Sequence, residues 1–231
     1  MKKSVGFVFG ILILFFCSYP AAVAAPAYGT NLPKKRDLVI GVQTHFIDER
    51  ELEDTHGTMQ SLQHFLLLSY GVTDWLSLDL KGGAGNIKQT SEAGTELNYA
   101  SYMAGGYGFR LRFYQSDDIT FVFGFQHISV HPYQTFLQTK KYKAVLDDWQ
   151  FTFLGSKTFG ENVDVYAGAK WSRMDYIRWE NDKRKRIQSD LGKSVGAVLG
   201  VDIPLKDRWK INMEAQFIDV QAYSFNIQYS F

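Results

Sequence analysis

The chain has 231 residues, and its 25 lysines and arginines nearly balance its 24 aspartates and glutamates, giving a formal net charge of +1. This balance gives no overall basic field, so we predict no nucleic-acid partner. The single cysteine, Cys17, lies near the N-terminus, so the rest of the chain can form no disulfide and no thiolate metal site. We predict no metal ion and no cofactor, because we find no Gly-rich phosphate-binding loop and no convincing set of metal ligands.

The N-terminal residues have the three parts of a secretory signal peptide. Two lysines precede an apolar run over residues 5–16, and Ala22 and Ala24 are small residues where a signal peptidase reads them. We predict cleavage after Ala24, because cleavage one residue later would put Pro26 beside the scissile bond. An N-terminal membrane anchor is the alternative, but the run is short for a spanning helix, which needs roughly 20 residues.

The last nine residues alternate between large apolar and small or polar side chains, a period of two that is typical of a strand with one apolar face. The apolar set is Tyr223, Phe225, Ile227, Tyr229 and Phe231. The same alternation recurs upstream and predicts ten strands of about ten residues, a length that crosses a bilayer when tilted. The predicted strands lie near 38–46, 62–72, 76–81, 103–113, 119–126, 149–153, 163–172, 194–203, 209–217 and 223–231.

The predicted connections alternate between short turns and longer polar segments. The short turns lie near 73–74, 115–118, 159–162 and 205–208, and the longer segments are 48–60, 86–98, 131–144 and 175–190. Short turns at one rim and long loops at the other are typical of an outer-membrane barrel. We therefore predict an all-β fold, a transmembrane antiparallel up-and-down β-barrel of ten strands. An eight-stranded barrel and a soluble secreted β-sandwich are the structural alternatives.

On these patterns the chain resembles the superfamily of small outer-membrane β-barrel proteins of Gram-negative bacteria. Its C-terminal strand, ending in Phe231, resembles the signal read by the barrel-assembly machinery, and residues 70–80 resemble a strand–turn–strand hairpin. The resemblance implies a bacterial outer-membrane location and contact with outer-membrane lipid, but no particular activity. With ten strands, both termini are expected on the short-turn, periplasmic side. The predicted segments are a signal peptide over 1–24, an N-terminal periplasmic segment over 25–36 and the barrel over 37–231.

If the apolar face contacts lipid, the opposite face fills the lumen. That face carries five acidic and five basic residues, and a balanced set in a confined interior predicts a paired network. A ten-stranded barrel is only slightly wider than the eight-stranded kind that side chains fill, so we predict a narrow or plugged lumen. The alternative is a small anion-selective channel with Arg110 and Arg112 as its filter. The predicted network is Asp79, Lys81, Arg110, Arg112, Asp148, Asp164, Lys170, Asp202, Lys210 and Glu214.

The most specific chemical pattern is His127-Ile128-Ser129, because residues two apart on a strand share a face, with Cα atoms about 6.6 Å apart. An imidazole can reach a hydroxyl across that gap, and Asp147 on the next strand could orient the imidazole. This pair resembles that of the lipid A 3-O-deacylases, which implies cleavage of an acyl ester. In that family an Asn usually follows the serine, and here Val130 does. The alternative is that these are polar residues at the membrane interface.

The function that we predict is non-enzymatic: an envelope or surface barrel whose outer loops contact lipopolysaccharide or an extracellular partner. A basic segment, Lys183-Arg184-Lys185-Arg186, lies on a long outer loop and could bind lipopolysaccharide phosphates through charge-assisted hydrogen bonds. An outer-leaflet lipid esterase acting through Ser129 is the enzymatic alternative.

Overall fold

The computed structural model describes residues 28–160, 163–189, 191–206 and 208–231, and the predicted signal peptide lies outside them. The strands are β1 (Leu38–Glu51), β2 (Thr58–Gly71), β3 (Leu76–Thr90), β4 (Glu96–Gln115), β5 (Ile119–His131), β6 (Thr135–Leu137), β7 (Lys140–Phe159), β8 (Val163–Glu180), β9 (Lys183–Gln188), β10 (Val195–Lys206), β11 (Trp209–Phe217) and β12 (Gln221–Ser230). A single-turn 3₁₀ helix covers Leu191–Lys193. Among the described residues, no helix has the length and apolar character needed to span a membrane.

Ten of these strands close into one antiparallel barrel, which confirms the predicted fold and strand number. Around the wall the order is β1, β2, β3, β4, β5, β7, β8, β10, β11 and β12, and β12 pairs back onto β1. The closing register joins Val39 to Ser230 and Phe46 to Tyr223. The short strands β6 and β9 are not part of the wall; they extend the hairpins of β7 and β8 at the long-loop end. Closure leaves no free edge in the wall, so every wall strand pairs on both sides.

The period of two places polar side chains inside the barrel and apolar ones outside. On β12, Ser224, Asn226 and Gln228 are buried, whereas Phe225 is 45% exposed. This is the reverse of a soluble protein, and it is the pattern of a barrel whose outer face contacts lipid. The predicted C-terminal alternation therefore corresponds to one outward and one inward face of a wall strand.

The strands on one side of the barrel are much longer than predicted, and the loops are shorter. β4 and β7 each have 20 residues, about twice the ten that cross a bilayer. The predicted loops 86–98, 131–144 and 175–190 are therefore largely strand, and β8 and β9 are joined by Asn181 and Asp182 alone, with φ of 46° and 67°. Positive φ at both central residues is typical of a tight type I′ hairpin. These segments were predicted as loops because they are rich in polar residues, but strands that extend above a membrane also have polar outer faces.

The glycine-rich run 82–85 lies in the middle of β3, although the sequence placed it at a strand end. There β3 pairs with β2 on one side and β4 on the other. A Cβ atom at Gly83 would lie 1.9 Å from the backbone oxygen of His64. This glycine is needed because the two backbones approach each other closely at that point.

The interior changes character along the barrel axis. At the long-loop end it is an apolar cluster in which Met59, Ile87, Tyr99, Leu146 and Tyr176 are fully buried. Further down, most inward side chains are polar or charged and buried. Phe65 and Leu67 on β2 are apolar exceptions in this polar region.

The N-terminal segment enters the lumen from the short-turn end. Tyr28 is 4% exposed and belongs to the interior, whereas residues 34–37 pack at the rim against the β2–β3 turn. The sequence assigned the whole segment 25–36 to the periplasm, and this is corrected for its described part, which begins at Tyr28. The error arose because the segment is too short and irregular to show a periodicity.

Candidate functional site

The lumen is crossed by a paired network centred on Asp79 of β3 and Arg110 of β4. The Nε and Nη2 atoms of Arg110 each donate to a different oxygen of the Asp79 carboxylate, both at 2.9 Å. Ser69 donates to the same carboxylate at 2.6 Å. This two-point geometry fixes the guanidinium as well as neutralising it. Arg110 is therefore held by the wall and is not a mobile filter residue.

The same guanidinium holds the N-terminal segment in place. Arg110 Nη1 donates to the backbone oxygens of Tyr28 and Asn31, at 3.0 and 2.8 Å. The side chain of Asn31 donates to Asp164 at 2.7 Å and to Asp202 at 3.2 Å. The Tyr28 ring lies 4.4 Å from the ammonium of Lys81, within cation–π range. The segment thus lies across the short-turn end of the lumen, here called the lower lumen, as a plug formed by the chain itself.

Above the plug, glutamine-rich chains of hydrogen bonds link the charged residues. Lys81 donates to Gln126 at 3.0 Å, Gln126 to Gln150 at 2.8 Å, and Gln150 to Asp148 at 2.7 Å. On the opposite wall the Tyr166 hydroxyl donates to Glu214 at 2.8 Å. Gln216 connects Lys170 to Glu214 through bonds of 2.5 and 2.9 Å. Such chains let neutral amide side chains share in the hydrogen bonding of the buried charges.

Seven of the ten predicted network residues are buried within this interior: Asp79, Lys81, Arg110, Asp148, Lys170, Asp202 and Glu214. Lys210 faces the lower lumen with its side chain 19% exposed, and Asp164 lies near it, bonded to Thr158 and Asn31. Arg112 is placed differently from the prediction. Its guanidinium donates to the backbone oxygen of Asp74 in the β2–β3 turn, outside the lumen network. The pairing of β4 with β5 is irregular between Arg112 and Tyr114, close to the short-turn rim, so the regular alternation no longer places this side chain in the lumen network.

A second buried cluster, around Arg50 and Asp219, was missed by the sequence analysis. Asp219 lies 2.8 Å from Lys170 Nζ and 3.3 Å from Arg50 Nη1, and it accepts a hydrogen bond from Ser172 at 2.7 Å. Arg50 is fully buried, although it stands in an acidic segment that looked like a solvated loop. The preceding residue, Ile218, has φ of 82°, which is rare for a β-branched side chain. That strained turn directs Asp219 inward.

The residues of the enzymatic alternative, His127, Ser129 and Asp147, lie together on the outer face of β5 and β7, just above the aromatic residues. Ser129 pairs with Asp147 in the sheet, and its hydroxyl donates to the Asp147 carboxylate at 2.5 Å. His127 is farther away, with Nε2 at 3.6 Å from the same carboxylate oxygen. The structure therefore brings Ser129 and Asp147 into direct contact and leaves His127 at the margin.

The imidazole that reaches Ser129 belongs to His131. Its Nε2 lies 2.9 Å from the hydroxyl oxygen. Since the hydroxyl proton is given to Asp147, Nε2 of His131 acts as the donor in this arrangement. The serine stands between the acid and the imidazole, whereas a Ser–His–Asp triad has the imidazole in the middle. His131 was not among the predicted site residues, although its spacing of two from Ser129 could have indicated this contact.

The row of residues below Ser129 has the character of a membrane interface. Tyr107, His127, Trp149 and Arg173 are successive partners across β4, β5, β7 and β8. The His127 ring lies 4.3 Å from the Trp149 ring and 5.3 Å from the Tyr107 ring. Amphipathic rings at this level are typical of the aromatic girdle of a barrel. Ser129, His131 and Asp147 consequently lie on the long-loop side of that girdle.

The outer hairpins beyond this row are strongly basic. Residues 135–146 and 175–188 contain eight basic and three acidic side chains. Glu180 and Asp182 pair with Lys140 and Lys143 at 2.7 and 3.5 Å, and Asp175 pairs with Arg186. The hydrogen bond from Lys140 lowers the pKa of Glu180. Five basic residues have no acidic partner among the described residues, namely Lys141, Arg178, Lys183, Arg184 and Lys185.

Neither of these sites contains a metal-binding arrangement: within the described ranges, no group of three or more His, Cys, Asp or Glu side chains is placed to hold an ion.

No family model matches the sequence, and no curated protein matches it. Among solved structures, the attachment invasion locus protein Ail of Yersinia pestis aligns over 85% of this chain and 99% of its own, with 9% identity and a TM-score of 0.45. The translocator domain of the autotransporter NalP from Neisseria meningitidis aligns over 88% and 91%, with 11% identity and a TM-score of 0.44. The outer-membrane protease OmpT of Escherichia coli aligns over 86% and 97%, with 11% identity and a TM-score of 0.42. These proteins include an attachment protein, a translocator and a protease, so the likeness concerns the β-barrel fold alone.

Proposed function

We propose that this protein is a non-conducting outer-membrane barrel that acts as a surface protein, binding lipopolysaccharide through its basic outer hairpins. The observation that carries the proposal is the filled lumen. The Asp79–Arg110 pair, the N-terminal plug and the apolar cluster occupy successive levels of the interior. With the interior filled in this way, the outer hairpins are the part of the chain available to a partner.

Charge supports lipopolysaccharide as the partner. The outer hairpins carry an excess of five positive charges directly above an aromatic girdle, and phosphate groups of outer-leaflet glycolipids would lie at that height. Arg186 is 53% exposed on this face, and Arg184 stacks near the Trp179 ring at 6.0 Å. Guanidinium groups bind phosphate with two-point hydrogen bonds.

The proposed location can be tested by fractionation. The mature protein should sediment with outer membranes, resist extraction by alkali and show heat-modifiable migration. Reconstituted protein should give no steady conductance in planar bilayers. Recovery of soluble protein from the periplasm, or open channels of porin size, would contradict the proposal.

The proposed partner requires a separate binding experiment. Replacing Lys183, Arg184 and Lys185 by glutamate should weaken lipopolysaccharide binding by at least tenfold at low salt, because phosphate contacts there are electrostatic. The matched control replaces the three consecutive basic residues 34–36, at the opposite rim, by glutamate. Equal losses in the two variants would show that the binding is not specific to the outer hairpins.

An anion channel is not favoured by this geometry, because Arg110 is bound to Asp79 and to the plug, and Arg112 is bound to a rim turn.

Esterase activity is a second candidate, because Ser129 contacts both Asp147 and His131 on the outer face. For that reaction the hydroxyl would have to rotate from Asp147 toward His131, so that the imidazole could accept its proton. Mass spectrometry of lipid A and phospholipids, with wild-type protein and with Ser129→Ala, tests it. Loss of an acyl chain that depends on Ser129 would establish the esterase; unchanged lipids would exclude it.

A further inference from the structure

We infer a second binding site, at the short-turn end of the lumen, for a small organic anion that carries a carboxylate or phosphate group. A cavity of about 480 Å³ lies there, between the N-terminal segment and the short-turn ends of β1, β10, β11 and β12. Small-molecule sites occupy roughly 300–1,000 Å³. We call this cavity the vestibule; it lies at the opposite end of the barrel from the outer hairpins.

The charges that surround the vestibule select for an anion. Four basic side chains line it, Lys34, Arg110, Arg208 and Lys210, against one acidic side chain, Asp37. Arg110 is occupied by Asp79 and the plug, so the other three basic groups determine what the vestibule can hold. Lys34 and Arg208 are exposed at its mouth, whereas Lys210 lies deeper on the wall.

Lys210 is the group that points most directly to a ligand. Its ammonium lies 3.9 Å from the nearest oxygen of Asp202, which is too long for a hydrogen bond. Asp202 is already bonded to Asn212 at 2.9 Å and to Asn31 at 3.2 Å. Among the described residues the ammonium therefore has a nearby countercharge but no acceptor. A charged donor in this position needs an acceptor from outside the chain, either water or an anion.

The other walls of the vestibule fit the apolar part of such a molecule. Pro33, Val39, Pro204 and Trp209 contribute to its lining, along with the polar side chain of Gln228. The wall is therefore mixed, because these apolar residues stand beside polar ones such as Asn31, Ser69 and Ser230. The ligand class that follows is an anion of modest size with an apolar or aromatic body.

Binding of phenylphosphate and phenylacetate to the refolded mature barrel in detergent tests this site. Calorimetry should give a saturable binding isotherm with each probe. Lys210→Met should weaken binding by at least about tenfold, through loss of a charge-assisted hydrogen bond. Lys157→Met is the matched control, because Lys157 is exposed at the same end but outside the vestibule. It should bind like the wild type.

A preference for phenylphosphate would assign the site to phosphate groups, and equal binding of both probes would assign it to anions in general. Arg208→Gln, at the exposed mouth, provides a variant that leaves the interior intact and should give a smaller loss. Heat-modifiable migration identifies folded protein in every case. The inference is overturned if neither probe binds saturably, or if Lys210→Met and Arg208→Gln both bind like the wild type. The outcome is independent of lipopolysaccharide binding, which concerns the other end of the barrel.

Discussion

The lower part of the barrel and the part beyond the girdle distribute their polar residues in opposite ways. On β7 below Trp149, the inward residues Gln150 and Thr152 are polar and the outward Phe151 and Phe153 are aromatic. Above it, Tyr142, Ala144 and Leu146 point inward, and charged residues such as Lys143 point outward. In β5 and β8 the distribution of polar and apolar side chains between the two faces reverses at the same height, at His127 and Arg173.

The reversal shows where the surroundings of the chain change. Below the row of Tyr107, His127, Trp149 and Arg173 the wall contacts an apolar medium, so its polar side chains turn inward. Above the row it contacts water, and the same strands fold like those of a soluble protein with an apolar core. The upper rim of the membrane can therefore be located from side-chain polarity alone.

The largest expected effect tests the polar interior. Asp79→Ala would leave the Arg110 guanidinium buried without its carboxylate, and removing one partner of a buried ion pair costs about 3–5 kcal/mol. We expect that loss in the free energy of unfolding, measured by urea titration in lipid vesicles. The double variant Asp79→Leu/Arg110→Leu should recover part of the loss. A single variant as stable as the wild type would show that the interior is hydrated.

The apolar interior beyond the girdle should respond to loss of volume. Leu146→Ala removes a fully buried side chain from that cluster, and such truncations cost about 2–5 kcal/mol. The same urea titration measures it. Val145→Ala, on the outward face of the same strand, is the control and should cost much less. Equal costs would mean that no packed core exists above the membrane.

The outer face can be tested on both sides of the girdle within one strand. Phe151→Lys places a charge where the wall should meet lipid, at a cost of about 2–4 kcal/mol near the bilayer midplane. Val145→Lys places it above the girdle, where water is expected, so assembly should be almost unaffected. The readout is the folded fraction by heat-modifiable migration after refolding into vesicles. Similar yields from the two variants would place the membrane boundary elsewhere.

The smallest effect concerns the water-exposed hairpins. Because the pKa of Glu180 is lowered by the hydrogen bond from Lys140, its stabilising contribution is present above the ordinary value of 4.5 and is lost as the pH falls below it. The Glu180 side chain lies at the surface, 36% exposed, so solvent screening should keep this loss slight. Glu180→Gln should abolish that part of the pH dependence, measured by unfolding between neutral and acidic pH. An unchanged profile would show that the pair is fully screened.

Much of the wall could be predicted from sequence, because strand periodicity is a local property. The alternation in β11 and β12 gave their limits almost to the residue. β7 was predicted as residues 149–153 but covers Lys140–Phe159. Beyond the girdle its outward side chains become polar and its inward ones apolar, so that part of the sequence does not look like a membrane strand. Local periodicity therefore identifies the membrane zone better than it identifies the strand.

The sites were less predictable, because they depend on contacts between distant parts of the chain. The alternation along β3 and β4 placed Asp79 and Arg110 on the inner face. Tyr28, whose backbone oxygen accepts a hydrogen bond from Arg110, comes from a segment without periodicity. Similarly, Ser129 and Asp147 were expected to share a face, whereas the choice of His131 over His127 depends on side-chain geometry. The alternation along a strand and the pairing of strands determine on which face of the barrel wall a side chain lies. They do not determine which of the neighbouring side chains it contacts.

The plug has a consequence for the timing of biogenesis. Tyr28 is held inside the lumen by Arg110, only four residues beyond the predicted cleavage site after Ala24. A precursor that still carried its signal peptide would have to accommodate the whole leader ahead of Tyr28, in a lumen already occupied by side chains. Export and processing should therefore precede closure of the barrel around its own N-terminal segment, and an uncleavable Ala24→Arg precursor should stall before the heat-modifiable form appears.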